Sequence, residues 1–363
     1  CLLLPAAMAL ASAAAVAQQS PPLAAGANSF EAGYFTAFNP VTAEDMVRRI
    51  PGFAIDDGEV RRGFAGTAGN VLINGERPSS KTPISEQLSR ISARDVLRID
   101  LLSGGAEGAS ASGQTLFVDV RLRPRDTSAT NTFVAQASQL NPSGSINPLV
   151  ILTSAFKAGD ATVNLALQAQ PARRGRIEYD KLLELPPGTI AEQGPEFLQG
   201  NYWEYKLSGR AGWKPTEADS VNLNAQLTPS KDGRHTFSEV FGPTGGLLRT
   251  EDSKVTGDDA LAAELGGDWE HRLSDAASFK LIGLASDRRT GSDERYSRRP
   301  VTGPRRDTLI ERSSDSGEYV GRGVFTWKGA AQHTVDFGGE LAFNFLDSGL
   351  DITIVTPGGA VDG

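Results

Sequence analysis

The residues after Thr130 alternate between apolar and polar side chains over long stretches. The alternation is clearest in four segments, 162–170, 220–228, 260–273 and 334–345. A period of two is that of a half-buried β-strand, because successive side chains of a strand point to opposite faces. A soluble β-sandwich and a transmembrane β-barrel would both show this pattern. The alternation therefore predicts strands, and it leaves open whether protein or lipid covers their apolar face.

Strand length and the spacing of the turns favour a transmembrane barrel. Several segments run for roughly ten or more residues, as a tilted membrane strand must, whereas ordinary globular strands average about 5–6. The expected connections alternate between two lengths. Short turns are predicted at 157–160, 215–219, 274–277 and 329–332, and long polar loops near 171–199, 229–258, 286–317 and after Leu346. Short turns on one side and long loops on the other are typical of outer-membrane barrels.

In a barrel, the odd-numbered residues of 221–227, 261–273 and 335–345 would face lipid. The four tryptophans would suit the two membrane–water interfaces, where aromatic residues form girdles; they are Trp203, Trp213, Trp269 and Trp327. We expect about ten to twelve antiparallel strands in 126–363. The segment before this region, 39–125, has a different pattern.

That preceding segment, 39–125, mixes helix and strand signals. Thr42 is a good N-cap residue, and Asp45 lies three positions on, where its carboxylate can reach back to the cap. The apolar run at 71–73 is closed by Asn74-Gly75, a strong turn signal. A further helix is predicted around 85–91, with strands at 96–102 and 116–122. The combination predicts a small α+β domain.

The order of the pieces in 39–125 resembles the plug domain of TonB-dependent outer-membrane receptors. The similarity lies in Asn39–Phe53, Arg62-Gly-Phe-Ala-Gly, Gly69–Pro78, Val96–Gly104 and Phe117–Pro124. This resemblance implies a plug inside an antiparallel transmembrane β-barrel. It also implies active uptake of a scarce nutrient, most often an iron–siderophore complex, driven by TonB. Other members of the family take up cobalamin, sugars or peptides.

The glycine-rich segment 104–113 is too small in side-chain volume to build a core. No Gly-Lys-Ser or Gly-Lys-Thr follows these glycines, which argues against a phosphate-binding loop for a nucleotide. A plain surface loop is one interpretation. The family resemblance implies instead a plug loop that faces the ligand or the barrel wall.

The two ends of the sequence suggest a fragment of a longer protein. Residues 1–17 form an apolar stretch that ends in Ala15-Val16-Ala17, which is typical of a signal peptide and its cleavage site. Residues 18–38 are interpreted as a flexible periplasmic lead, and Phe30–Phe38 is the one candidate for a TonB-contacting segment. A plugged barrel has about 22 strands, so 126–363 is expected to be only the N-terminal portion of the barrel.

Composition and motifs argue against several other functions. The formal net charge of −8 disfavours nucleic-acid binding. The three histidines lie far apart in sequence, which disfavours a metal site. No serine has the context of a catalytic nucleophile. We therefore expect no enzyme activity and no cofactor.

Six arginines are the candidate ligand-binding residues. Three belong to the predicted plug and three to a predicted loop from Asp287 to Arg312, which contains eight arginines and five acids; the six are Arg61, Arg62, Arg77, Arg295, Arg298 and Arg299. Arginine suits bidentate contacts with carboxylates and phosphates. Three interpretations of the loop stay open: a solvated loop with internal ion pairs, contact with lipopolysaccharide phosphates, or capture of an anionic ligand.

The expected location is the outer membrane of a Gram-negative bacterium, with TonB, lipid, lipopolysaccharide and a small nutrient as partners. A passive porin or structural barrel is the main alternative, and a soluble periplasmic binding module is another. An open pore needs no folded domain in its lumen, so the predicted plug argues against the porin.

Overall fold

The computed structural model describes residues 29–58, 69–78, 80–103, 116–123, 129–140, 145–185, 189–329, 333–356 and 359–362. It consists mostly of antiparallel β-structure, arranged as one four-stranded and one ten-stranded sheet, with few helices. Within these ranges, no helix has both the length and the apolar character needed to cross a membrane.

The N-terminal part forms a small domain around the four-stranded sheet. Its strands are β1 (Ser29–Glu31), β2 (Val71–Ile73), β3 (Val96–Ser103) and β4 (Leu116–Leu122), in the order β1-β3-β4-β2. Two short α-helices accompany them, α1 (Ala43–Val47) and α2 (Ile84–Ser89), together with 3-10 turns at Ala32–Phe38 and Ala93–Asp95. Strand β2 pairs parallel with β4, and the other pairs are antiparallel. The predicted mixture of helix and strand is present in this part of the chain.

Local signals explain where two of these elements begin and end. The backbone N–H of Asp45 donates to Thr42 Oγ1 at 3.2 Å, and the Thr42 N–H donates to Asp45 Oδ2 at 2.9 Å, which confirms the capping box before α1. At the end of β2, Asn74 and Gly75 both have positive φ, 56° and 85°. Two consecutive positive φ angles are the requirement of a tight primed turn, which explains the Asn-Gly pair. The Gly75 N–H donates to Asp119 Oδ1 at 2.8 Å, so β4 holds the turn.

The core of the small domain lies between its sheet and the two helices. Its largest fully buried side chains are Phe35, Met46, Ile73, Leu88 and Ile99. Leu72 and Phe117 are also fully buried but lie outside this cluster. Phe30 and Phe35 belong to the same buried group, and Tyr34 packs edge-on against both, with centroid distances of 5.2 and 5.0 Å. Burial of these aromatic residues anchors the start of the chain to the domain.

Two short elements before Asn39, a strand and a 3-10 turn, pack with the small domain. Residues from Ser29 to Phe38 were expected to belong to a flexible lead, but β1 pairs with β3 and Phe35 is fully buried. A three-residue strand followed by a 3-10 turn is too short to show a period, so the sequence pattern gave no sign of it. The predicted signal peptide, the lead up to residue 28 and the glycine-rich segment 104–113 lie outside the described residues.

The C-terminal part is an up-and-down antiparallel sheet in which each strand pairs with its sequence neighbours. Its strands are β5 (Thr130–Leu140), β6 (Ser145–Ala158), β7 (Ala161–Leu185), β8 (Thr189–Trp213), β9 (Asp219–Phe241), β10 (Leu247–Ser274), β11 (Ala277–Pro300), β12 (Arg306–Lys328), β13 (Thr334–Thr356) and β14 (Gly359–Asp362). Over the described residues the sheet is open, with β5 and β14 at its edges. The ten strands fall within the predicted ten to twelve.

Three of the four predicted short turns are confirmed, and the fourth, at 329–332, lies largely outside the described residues. The predicted long loops are strands. Tight connections join β6 to β7, β8 to β9 and β10 to β11. The predicted loops at 171–199, 229–258 and 286–317 and the region after Leu346 instead continue the ladder of β7–β13. A strand with water on both faces has no apolar side, so its sequence loses the period of two and resembles a loop.

The two faces of the large sheet differ in chemistry. Alternate residues on one face, here called the inner face, contact the small domain. The opposite, outer face exposes a band of large apolar side chains that includes Leu223, Leu265, Leu281, Phe325, Phe337 and Leu341. Leu265 is 57% and Leu341 82% exposed, which agrees with the outward direction predicted for odd-numbered residues.

The outer band has two borders, and the tryptophans lie at them. Trp213 is the last residue of β8, and Trp327 is the residue before the end of β12. At the same end of the sheet, Trp269 Nε1 donates to Asp219 Oδ1 at 2.9 Å. Trp203 lies at the other border, where it is paired across strands with Lys231.

Candidate functional site

The small domain meets the inner face of the large sheet along one irregular segment. Residues 76–86, here called the docking segment, run from the Asn74-Gly75 turn into the first three residues of α2. All of them except residue 79 are described. Pro78 and Pro83 limit regular structure in this segment, because proline lacks the N–H that helices and sheets require. Polar side chains and backbone groups are thus available to the facing strands.

The centre of the docking segment makes the most desolvated contact. Glu264 of β10 accepts hydrogen bonds from Ser80 Oγ and from the Lys81 N–H, the latter at 3.2 and 3.3 Å to its two oxygens. The Lys81 ammonium pairs with Glu318 of β12, and the two side chains are only 14% and 12% exposed. Removing one member of such a pair would leave a charge with little access to water, which is costly.

The C-terminal end of the docking segment contacts β8 and β9. Thr82 Oγ1 donates to Gln226 Oε1 at 3.4 Å. Lys206 Nζ lies 2.9 Å from Glu86 Oε1 and 3.2 Å from Glu204 Oε1, and Arg90 also pairs with Glu86. These contacts hold the start of α2 against the inner face of β7–β12, here called the wall.

The N-terminal end of the docking segment is centred on Glu76. Its carboxylate accepts from Asn222 Nδ2 and from Ser220 Oγ, the latter at 3.4 Å. Lys280 Nζ lies 3.9 Å from Glu76 Oε2 but only 3.0 Å from Asp268 Oδ1. Asp268 is almost completely buried, with 2% of its side chain exposed. Glu76 therefore joins a charge network that already belongs to the wall.

A cavity of about 710 Å³ separates the small domain from β7–β10 beside these contacts. Its lining mixes apolar, charged and neutral polar residues, and the neutral polar ones include Asn74, Thr82 and Gln87 on the domain side and Asn164, Ser208 and Asn224 on the wall side. Glu76, Arg210 and Glu264 also reach it. Such a lining can exchange hydrogen bonds with a hydrophilic solute.

Arg77 is the one predicted plug arginine that the structure describes. Its guanidinium lies 5.3 Å from the centroid of the Phe117 ring, a cation–π geometry that attaches it to the small domain. Burial, with a smaller contribution from the nearby charge of Arg322, lowers the pKa of Arg77. Arg61 and Arg62 lie outside the described residues.

Arg295, Arg298 and Arg299 lie on β11, and the predicted loop around them is wrong. The segment from Asp287 to Pro300 is strand, and a short connection at 301–305 leads to β12. Because side chains alternate along a strand, Arg298 points to the face opposite Arg295 and Arg299. Arg298 Nε is 4.0 Å from Glu251 Oε1, and all three side chains are exposed. The three do not form a single cluster.

The same end of the sheet holds an ion-pair cluster that the sequence did not indicate. Arg249 of β10 makes two bonds of 2.7 Å to the oxygens of Glu192 and one of 2.5 Å to Glu251. Glu192 lies 57 positions before Arg249, so only the strand register brings the two together. No spacing rule for a single strand could have found this pair.

Two of the three histidines each contact a single carboxylate. His235 Nε2 lies 3.1 Å from Asp252 Oδ2, and His271 Nδ1 lies 2.8 Å from Asp219 Oδ1. Within the described ranges, no group of three or more His, Cys, Asp or Glu side chains has the arrangement of a metal site.

Comparison with known proteins gives structural similarities only. No protein-family model and no curated protein sequence matches the chain. Solved structures similar to it include FpvA of P. aeruginosa bound to heterologous pyoverdines, with 8% identity over 92% of this chain and 52% of FpvA, at a TM-score of 0.33. The unliganded ferric citrate transporter FecA has 12% identity over 91% of this chain and 60% of FecA, at a TM-score of 0.28.

The ferric yersiniabactin uptake receptor FyuA from Yersinia pestis is a third similar structure. It has 10% identity over 90% of this chain and 61% of FyuA, at a TM-score of 0.27. The chain thus spans about half to three-fifths of the length of these proteins.

Proposed function

We propose that this chain is the plug domain and the N-terminal part of the barrel of a TonB-dependent outer-membrane transporter. The small domain, from Ser29 to residue 125, is the plug, and residues 126–363 contribute barrel strands. The activity is energy-dependent uptake of a scarce nutrient, and the family resemblance makes an iron–siderophore complex the first substrate class to test. Cobalamin, sugars and peptides are the other classes.

The contrast between the two faces of the large sheet carries this proposal. Large apolar side chains such as Leu265 and Leu341 are exposed on the outer face. A folded domain contacts the inner face through hydrogen bonds and ion pairs at Glu264, Glu318 and Asn222. An apolar exterior with tryptophans at its borders suits a bilayer, and a polar interior suits a solvated lumen. A soluble sandwich would require the opposite arrangement.

The outer membrane of a Gram-negative bacterium follows as the proposed location. The side of the short turns would face the periplasm and the long hairpins the exterior, as in other outer-membrane barrels. TonB is the proposed periplasmic partner. Residues 1–17 are proposed to be a signal peptide, and residues 18–28 a flexible periplasmic lead.

Arg295, Arg298 and Arg299, on the exterior hairpins, are proposed to contact an anionic ligand or lipopolysaccharide phosphates. Arg61, Arg62 and Arg77 are the proposed ligand-binding residues of the plug. Because Arg298 lies on the opposite face from Arg295 and Arg299, it should be changed alone. Arg298→Gln is expected to affect a ligand in the lumen, whereas Arg295→Gln with Arg299→Gln is expected to affect contact with lipopolysaccharide.

Uptake with and without TonB tests the proposed function. The complete protein is expressed in a strain that lacks other receptors for a panel of labelled nutrients, and accumulation is compared before and after deletion of the TonB system. We expect accumulation of the cognate nutrient to stop while its binding to the cell surface persists. Uptake that continues unchanged after the deletion would favour the passive porin or structural barrel.

A further inference from the structure

The wall residues around Glu76 have the composition of a carboxylate-binding site. Two neutral donors, Ser220 and Asn222, contact the Glu76 carboxylate directly, and Lys280 lies 3.9 Å away. Arg210 lines the same cavity and lies within electrostatic range of both Glu76 and Asp268. All four donors belong to the sheet, whereas the carboxylate that they hold belongs to the small domain.

The contact at Glu76 can be released more easily than the contact at Lys81. The side chains of Lys81 and Glu318 are only 14% and 12% exposed, so separating this pair would disrupt an ion pair that has little access to water. Withdrawing Glu76 leaves Lys280 with Asp268, its nearer partner at 3.0 Å, so that cation stays paired. Asn222 also keeps a bond of 3.2 Å to Asp268 Oδ1. The wall thus tolerates the loss of Glu76 while retaining donors that face the cavity.

We propose that Ser220, Asn222, Lys280 and Arg210 form a binding site for a carboxylate group, and that Glu76 fills this site in the resting state. When the docking segment moves, the site becomes available to a carboxylate of a solute in the adjacent cavity. Glu76 then acts as an internal competitor of the solute. The solute's role rests on the proposed transport function, but the site itself does not.

Space and charge are both consistent with this exchange. The cavity of about 710 Å³ has the size of a small-molecule site and reaches Glu76, Ser220 and Asn222 on one side. The acids near these donors are Asp268, which already pairs with Lys280 and accepts from Asn222, and the half-buried Glu270. Asp160 and Glu264 also line the cavity, and Glu264 accepts from the Lys81 N–H. Ser220 and Asn222, which donate to Glu76 in the resting state, can then donate to the oxygens of another carboxylate.

Acetate rescue of Glu76→Ala in the purified full-length protein tests the site. Alanine lacks the CH₂–COO⁻ group of glutamate, and acetate replaces these atoms closely. Hydrogen exchange of the backbone amides from Gly75 to Lys81 reports whether this end of the docking segment is held against the wall. We expect these amides to exchange at least about tenfold faster in Glu76→Ala than in the native protein, and 50 mM acetate to restore most of the protection at constant ionic strength with chloride.

Two further variants make the result specific. In Glu76→Ala combined with Ser220→Ala and Asn222→Ala, the same amides should exchange equally fast but should not respond to acetate. Glu76→Gln keeps the shape of the side chain and should respond to acetate little, because the amide still fills the site. Heat-resistant migration of the folded barrel is checked for each variant.

Absence of rescue in Glu76→Ala, or equal rescue after loss of Ser220 and Asn222, would overturn the proposed site. The assay uses no transport step, so its failure is distinguishable from a failure of TonB-dependent uptake. Conversely, rescue by acetate in a protein that shows no uptake would leave the carboxylate site and refute the transport role.

Discussion

The small domain and the large sheet bury apolar side chains in opposite ways. In the small domain, residues such as Phe35, Leu88 and Phe117 are fully buried, while its surface is polar. In the sheet, Phe337, Leu341 and Leu265 are 78%, 82% and 57% exposed, while the inner face carries acids, lysines and amides. Under the proposed function, the difference corresponds to two solvents, water around the small domain and hydrocarbon around the sheet.

The largest expected effect comes from removing equal side chains from the two regions. Leu88→Ala should destabilise the small domain by about 2–5 kcal/mol, because a cavity replaces a fully buried side chain. Leu341→Ala should cost far less, since fluid lipid chains fill the space. Hydrogen exchange of core amides in the full-length protein in bilayers measures both. Equal losses of protection would break the distinction between the two regions.

The next largest effect is expected from comparing a new charge on the outer face of the sheet with one on the inner face. Leu265→Arg should impair barrel folding by about 2–4 kcal/mol if it reaches the bilayer midplane. The sequence pattern suggested Glu264→Arg as a mild control. The structure makes that control unsuitable, because Glu264 holds Ser80 and Lys81 of the docking segment.

Ser286→Arg is the better matched control for the inner face. Ser286 is paired across strands with Glu264 and lies next to Glu318 in the sheet, so a new cation there has acidic neighbours. Heat-resistant migration should be lost for Leu265→Arg and retained for Ser286→Arg. Retention by both variants would mean that the outer face does not meet hydrocarbon.

An effect of intermediate size is expected for the ion pair that links the small domain to the large sheet. Lys81→Met and Glu318→Gln each remove one member of a poorly solvated ion pair. Together they should cost less than the sum of the two single changes, with a coupling energy of about 1–3 kcal/mol. Denaturant release of the small domain from the sheet is the measurement. Strict additivity would show that the docking segment is held by other contacts.

The smallest effect concerns the small domain alone. Thr42→Ala removes the side chain that caps α1 and should destabilise the domain by about 0.5–2 kcal/mol. Thr42→Ser keeps the hydroxyl and serves as the control. Exchange of the amides from Ala43 to Val47 should rise in the first variant only, and the strands of the large sheet should not respond. A response in the sheet would mean that the two regions unfold together.

Local chemistry made much of the fold predictable. The capping residues Thr42 and Asp45, the Asn74-Gly75 turn and the alternation along 220–228 each act over a few positions, and the structure has the expected element at each. The prediction failed where the cause is not local. The extensions of β11 and β12 alternate weakly because both faces are polar, and the order of Ser29–Phe38 depends on contacts with β3.

The candidate site was less predictable than the fold. The contacts of Glu76 with Asn222 and of Lys81 with Glu318 join residues that are 146 and 237 positions apart. Neither partner has a distinctive sequence context, and only the docking of two separately folded regions brings them together. The arginine-rich stretch was predicted to be a candidate ligand-binding loop. It is a strand, and side-chain alternation places Arg298 on the face opposite Arg295 and Arg299.

The most direct test of the central claim asks what touches each face of one short stretch of sheet. A photoreactive amino acid is placed at Leu265 or at Ser286 in the full-length protein, the membranes are irradiated, and the adducts are identified by mass spectrometry. We predict lipid adducts and no link to the small domain from position 265, and a cross-link to the docking segment from position 286. A cross-link from 265 to the small domain, or lipid adducts from 286, would contradict a plug held inside a membrane-embedded sheet.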